Sequence, residues 1–240
     1  TCPIRLSYKH QNGQMALAAN GPSSLRLDQL LKPYNVDVHR AEVGEANVLA
    51  CASQLREKGY DVPMSGEGSN GGNILSPSTV RDPLMTLLSL LKFMALPIKE
   101  GSAITAAETL LGTLAPKDPT QRLEAVLNTF PFWTSTDAFE GEALMPVPQI
   151  EHDDLKCSYE ALLQKHFVEN KGFWSGMGIL SLAFVSNEGT TNIPGPGGRP
   201  QPAKGGLQIF LLGESDERLG FLWMRGSGTE PVFRVMVDWK

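Results

Sequence analysis

No run of apolar residues in this 240-residue chain is long enough to cross a bilayer as a helix, which takes roughly 20 residues. Nothing has the charged-then-apolar pattern of a signal peptide. Cysteine is scarce: Cys2, Cys51 and Cys157 are odd in number, far apart and never spaced C-x-x-C. That excludes a disulfide framework or a cysteine-built zinc site and fits a reducing, cytoplasmic setting. Basic charge is not in excess either. Lys and Arg number 21 against 26 Asp and Glu, a formal net charge of −5. Nucleic-acid binders leave a basic footprint, so this balance argues against such a partner. His10, His39, His152 and His166 are scattered and mark no metal site. Internal repeats are lacking, and so is an initiator Met. The chain opens abruptly on TCPIRLSYKHQNGQMALAANGPSS, a strand-and-turn pattern, and reads as a fragment of a longer protein.

What is present is the composition of an ordinary globular protein, 41% hydrophobic and 20% charged, long enough to bury a real core in one large domain or two small ones. QMALAAN reads as a buried strand running into the turn Gly21-Pro22-Ser23-Ser24 and the helix LRLDQLLKPY. NVDVHRAEV is a second strand. EANVLACASQLREK puts Val48, Ala52 and Leu55 on one helical face, with Gly59 where a C-terminal cap belongs. Asp82-Pro83 is an N-cap followed by proline at the first helical position. The helix LMTLLSLLKFMAL after it is apolar nearly all round, which predicts burial on most sides.

Strands alternating with helices predict an α/β class and an α/β/α layered domain with a mixed sheet over residues 1–105. Residues 106–150, with two helical patches interrupted by prolines, form a connecting segment packed on that domain. From 151 a second unit begins. DLKCSYEALLQKHF places Leu155, Tyr159, Leu162, Leu163 and Phe167 along one stripe. GMGILSLAFVS, LQIFLLG, FLWM and VFRVMVDW are strands, which predicts a small α+β domain with a four-stranded antiparallel sheet over 151–240. NEGTTNIPGPGGRPQPAKGG reads as a long mobile loop between two of them. The acidic run Glu151-His152-Asp153-Asp154 reads as the capped start of its helix.

Two loops carry chemistry. Near the C-terminus, Arg225-Gly226-Ser227-Gly228-Thr229-Glu230-Pro231 lies between two strands. In the second strand Phe233, Val235, Val237 and Trp239 alternate onto a core face, so Arg234 points the other way, toward the loop and Arg225. Two guanidiniums, the hydroxyls of Ser227 and Thr229, and backbone N–H groups around Gly226 and Gly228 are a donor set for a dianionic phosphate. Each charge-assisted bond contributes about 1.5–3 kcal/mol. Glu230 can tie back Arg225 or the loop backbone. The plainer alternative is a solvated hairpin loop, and arginine on both sides weighs against it. The loop is not a Walker P-loop, since no Gly-Lys-Ser/Thr is present and a strand follows. The second loop, SGEGSNGGNI at 65–74, fits G-x-G-x-x-G literally, but no helix opens within it and Glu67 would repel a phosphate. Glu67, Ser69 and Asn70 on flexible glycines suit the vicinal hydroxyls of a sugar. The alternative there is a flexible connector.

VGEANV at 43–48, GEGSNGG at 66–72, RDPLMTLLSLL at 81–91 and RGSGTEPVFR at 225–234 occur in order. Together they resemble the α-D-phosphohexomutase superfamily of phosphomannomutases and phosphoglucomutases, over most of this chain and the second half of the family's four-domain architecture. The resemblance implies that residues 1–105 are the third, sugar-binding domain and residues 151–240 the fourth, phosphate-binding domain. Glu67 and Ser69 would contact sugar hydroxyls; Arg225, Ser227, Gly228, Thr229 and Arg234 would grip the phosphate that is not reacting. GEGSNGG has one residue more than the usual family loop and lacks the His of some members, which leaves the role of Asn70 and the preferred hexose open.

The implied reaction moves a phosphoryl group reversibly between carbon 1 and carbon 6 of a hexose phosphate, through a phosphoserine and a hexose 1,6-bisphosphate, with magnesium. This makes the whole protein an isomerase of carbohydrate metabolism. The serine loop and the aspartate-rich magnesium loop belong to N-terminal domains that this chain lacks. The fragment alone is therefore expected to hold no catalytic residue and no metal ligand and to be inactive. Its expected partners are a hexose phosphate and those N-terminal domains, with no nucleic acid and no membrane. The rival expectation is a non-catalytic sugar-phosphate-binding or assembly module on the same scaffold.

Overall fold

A computed structural model of the chain describes residues 14–67, 72–97, 104–137, 139–148, 151–199, 205–228 and 230–240. The chain divides into two compact units. One comprises residues 1–19, 26–39 and 48–132; the other comprises 20–25, 40–47 and 133–240. No helix among the described residues is long and apolar enough to cross a membrane.

The first unit is built on a mixed sheet. Its elements are β1 (Ala16–Asn20), α1 (Arg26–Leu31), β2 (Asp37–Ala41), α2 (Glu45–Glu57), β3 (Met64–Gly66) and β4 (Ile74–Leu75). The sheet order is β2-β1-β3-β4, with β1 parallel to β3 and β3 antiparallel to β4. All five residues of β1 are buried, as a central strand covered on both faces requires. Val48, Cys51, Ala52 and Leu55 are the buried face of α2, and Gly59 follows at φ 89°, a left-handed position that costs glycine least. The α/β/α expectation holds.

Beyond β4 lie α3 (Pro83–Ala95), α4 (Ala106–Leu111) and α5 (Pro119–Leu127). Asp82 caps α3, its side chain accepting from the Met85 N–H, with Pro83 in the first turn. Burial of α3 on most sides is not what the structure has. Leu84, Met85, Leu87, Leu88, Leu90 and Leu91 are exposed, and Met94 is the buried residue of this helix. Met94 packs with Ala107 of α4 and Val126 of α5, and the rest of the helix finds no comparable cover among the described residues.

The second unit contains β5 (Thr134–Ser135), β6 (Leu144–Pro146), α6 (His152–Glu169), α7 (Lys171–Gly176), β7 (Ser181–Glu188), β8 (Thr191–Pro194), β9 (Gly206–Leu212), β10 (Arg218–Gly226) and β11 (Val232–Trp239). Every strand pairing in its sheet among the described residues is antiparallel. The four expected strands are β7, β9, β10 and β11. Short strands β5, β6 and β8 widen the sheet to seven among the described residues, in the order β5-β11-β10-β9-β7-β8 with β6 beside β11.

Both faces of this sheet are covered. Leu207, Ile209, Leu211, Met224 and Phe233 pack with Leu163, Trp174 and the flanking Leu155, Tyr159 and Phe167 of the helical layer. Phe210, Phe221 and Trp223 pack on the opposite face with Leu25 and Trp133. Val235 and Trp239 join the helical face as the alternation predicts, whereas Val237 is left exposed outside that cluster. Leu162 departs from its expected stripe and is also exposed, because it sits about 100° round the helix from Leu163.

The segment after β7 is not a loop throughout. Residues 191–194 pair with β7. Beyond them the Gly197 N–H and the Arg199 guanidinium both contact the Glu160 carboxylate on α6. Residues 200–204 of that segment lie outside the described residues.

Candidate phosphate-binding site

Strand geometry fixes the site. β10 and β11 are paired so that Arg225 faces Arg234 and Gly226 faces Phe233. Opposite residues in an antiparallel ladder project to the same face, so both guanidinium-bearing side chains rise from the face that carries Phe221, Trp223 and Met236. The alternation expected for Arg234 is therefore met. The loop joining the strands is closed by its backbone: the Ser227 N–H donates to the Val232 carbonyl at 2.8 Å and the Val232 N–H to the Glu230 carbonyl at 2.8 Å. The Glu230 N–H donates to the Ser227 hydroxyl at 3.3 Å. Gly228 lies at the open tip, where an added Cβ would meet nothing within 4 Å. Thr229 lies outside the described residues.

Each arginine has a carboxylate. Arg234 Nη2 is 3.4 Å from Glu230 Oε2, so Glu230 ties back Arg234 rather than Arg225. Arg225 Nη2 is 3.0 Å from Glu42 Oε1. Glu42 follows β2 directly, and the reading of the loop from sequence did not include it. Its neighbour VGEANV was the nearest signal, but nothing local in β2 announces a partner near the C-terminus.

A cleft of about 410 Å³ opens beside the loop, lined by Arg225, Ser227 and Gly228, by His152 and Lys156, and by the carboxylates of Glu42, Asp153 and Glu188. The N-terminal turn of α6 forms one wall. Its aligned peptide dipoles favour an anion there, although Asp153 and Asp154 in that turn oppose one. Lys156 is 2% exposed; its Nζ lies 2.8 Å from Asp153 Oδ1 and donates to the Gly205 carbonyl at 3.1 Å. His152 is buried, tilted against the Phe233 ring, and its Nε2 has no hydrogen-bond partner among the described residues. The imidazole fills the space over Gly226 that a Cβ would need, so glycine there is a packing requirement. Neither His152 nor Lys156 was singled out for this wall, because a charged run at helical spacing reads as solvated.

The sugar-loop candidate is placed in part. Glu67 follows β3, its Oε2 lying 3.6 Å from Arg81 Nη1. Ser69 and Asn70 lie outside the described residues. At the far end of the loop, Gly72 at φ 80° passes so close to Pro83 that an added Cβ would stand 2.7 Å from its Cα. The Asn73 N–H donates to Thr86 Oγ1 at 2.9 Å, and the Asp82 N–H to the Asn73 carbonyl at 3.2 Å. The GEGSNGG and RDPL stretches are thus fastened together. Among the described residues no three or more of His, Cys, Asp and Glu gather as a metal site requires.

Residues 4–112 match the family described as phosphoglucomutase/phosphomannomutase, alpha/beta/alpha domain III. The fold resembles that of parafusin pp63, an exocytosis-sensitive phosphoprotein and phosphoglucomutase of Paramecium in its open form. That likeness has a TM-score of 0.52 and 11% identity over 99% of this chain and 35% of that one. A phosphoglucomutase/phosphomannomutase family protein of Burkholderia thailandensis is similar at a TM-score of 0.47 and 16% identity, over 95% of this chain and 34% of that one. The chain therefore spans about a third of the length of these two proteins. No protein with a curated description matches it in sequence.

Proposed function

We propose, from the match of residues 4–112 to domain III of the phosphoglucomutase/phosphomannomutase family, that this chain is the sugar- and phosphate-holding part of a phosphohexomutase. The single observation that carries the reading is the pair of arginines set opposite each other at the mouth of the β10–β11 loop, with Arg225 also lining a cleft of about 410 Å³. A phosphate monoester at this loop would accept bidentate bonds from Arg225 and Arg234 and single bonds from Ser227, Thr229 and the backbone at Gly228. Glu67, Ser69 and Asn70 would accept from or donate to the hexose hydroxyls.

The reaction moves a phosphoryl group between carbon 1 and carbon 6. A serine–phosphorus bond breaks as a bond to the sugar oxygen forms, and the serine later takes back the other phosphate. Magnesium, when bound elsewhere in the whole protein, neutralises charge on the transferring group. The task of this chain is to hold the phosphate that is not reacting, so that binding energy from a remote group positions the reacting end. Alone it positions a ligand without turning it over.

Titration of the chain with glucose 6-phosphate and with glucose, followed by NMR, tests this. The phosphorylated sugar is expected to bind and glucose not to bind detectably, and Arg225→Ala is expected to narrow the difference. Equal binding of both sugars would refute the phosphate seat. Mutase turnover by the chain alone would refute the division of labour.

A further inference from the structure

The two arginines are held by carboxylates of opposite mechanical character. Glu230 is on the loop itself, 60% exposed, with 3.4 Å to Arg234. A pair so open to water is worth little, and its carboxylate can swing into solvent when an anion reaches Arg234. Glu42 cannot move in this way. Its side chain is 12% exposed. One carboxylate oxygen meets Arg225 at 3.0 Å, and the other accepts from the Gly189 N–H at 2.8 Å. Its own N–H donates to the Gly189 carbonyl at 2.7 Å. The hairpin turn between β7 and β8 therefore clamps Glu42 from both its backbone and its side chain. Withdrawing the carboxylate would strip the Gly189 N–H of its acceptor, a cost that an incoming ligand would have to meet.

A guanidinium offers five N–H donors in a rigid plane. Glu42 engages one terminal nitrogen, which fixes that plane and leaves the fork able to meet a second oxyanion. Without such a partner a long side chain opposite a like charge would turn away from it. We infer that Glu42 is a positioning residue of the phosphate loop: fastened to the β7–β8 turn, it holds Arg225 in the orientation that receives phosphate and stays in place when phosphate binds, while Glu230 yields. This step rests on the phosphate-seat reading above.

The test is a cycle of variants of the chain titrated with glucose 6-phosphate by ³¹P NMR, which reads millimolar dissociation constants. Glu42→Ala is expected to weaken binding about tenfold in the parent and in Arg234→Ala, and to have no further effect in Arg225→Ala. Equal weakening in all three backgrounds would mean that Glu42 acts through the scaffold and would overturn the inference. Tighter binding in Glu42→Ala would show a carboxylate that competes with phosphate, and that too would overturn it, as would no change. Should the alanine variant not fold, Glu42→Gln keeps the size and one acceptor and runs the same cycle, with a smaller loss expected in the same two backgrounds. If Arg225→Ala alone leaves the affinity unaltered, the phosphate seat has failed rather than the role of Glu42.

Discussion

Arg225 stands directly across the β10–β11 ladder from Arg234, two like charges in one cross-strand pair. Opposed like charges destabilise a sheet, so the proposed phosphate seat accounts for this pair better than a contribution to folding does. Arg234→Ala is therefore expected to separate the two properties. Affinity for glucose 6-phosphate should fall roughly 10- to 150-fold, the worth of one charge-assisted contact of about 1.5–3 kcal/mol. Urea stability should stay within about 0.5 kcal/mol of the parent, because the exposed Glu230 pair contributes little. Loss of stability with binding unchanged would contradict the site.

Much of this was legible because it is local. Asp82-Pro83 announces the start of α3, Gly59 the end of α2, and period-two alternation sends Arg234 to the face away from Phe233. What was not legible depends on distant chain. Glu42 meets Arg225 because residues 40–47 belong to the second unit, a path that no window of β2 discloses. The exposure of α3 runs against its composition, since an apolar helix states a need for cover without naming where cover comes from. Glu160 and Lys156, polar at helical spacing, read as a wet face. They are buried because the chain after β8 folds over them.

Gly226→Ala tests the packing beneath the β10–β11 loop. The new Cβ would collide with the His152 ring, which is pinned against Phe233. Overpacking of this kind costs about 1–3 kcal/mol. Adding His152→Ala should recover part of the loss, giving a coupling of about 1 kcal/mol or more in a urea double-mutant cycle. Additive effects would mean that the ring is not what excludes a side chain at 226.

Glu160→Ala is expected to be among the most damaging single changes in the second unit. Arg199 is 9% exposed. Burial pulls its pKa down, but the hydrogen bonds it donates to Glu160 and Cys157 and the Glu160 charge outweigh this and leave it above the ordinary arginine value. Removing the carboxylate strands a buried guanidinium, at about 3–5 kcal/mol. Replacing the pair together, Glu160→Leu with Arg199→Met, should restore most of that stability, since a buried ion pair gains little over apolar packing. Urea midpoints of the three variants decide it.

His39 sets a pH dependence in the first unit. Desolvation by burial lowers its pKa below 6.5, with Lys58 acting in the same direction and Asp37 against it. Among the described residues its buried Nε2 has no hydrogen-bond partner, so protonation there would add an unsolvated charge. The unfolded chain binds a proton at this residue near pH 6.5 and the folded chain does so only at lower pH. The stability His39 confers is thus complete above about pH 6.5 and is lost as pH falls through the folded-state value. Glu108 and Asp118, whose pKa values are lowered by hydrogen bonds from Thr105 and Thr120, add a second loss below the ordinary carboxylate range. His39→Gln should flatten the slope of urea stability just below pH 6.5 and leave the acid limb in place. An unchanged slope in that upper window would show that His39 carries no folding-linked proton.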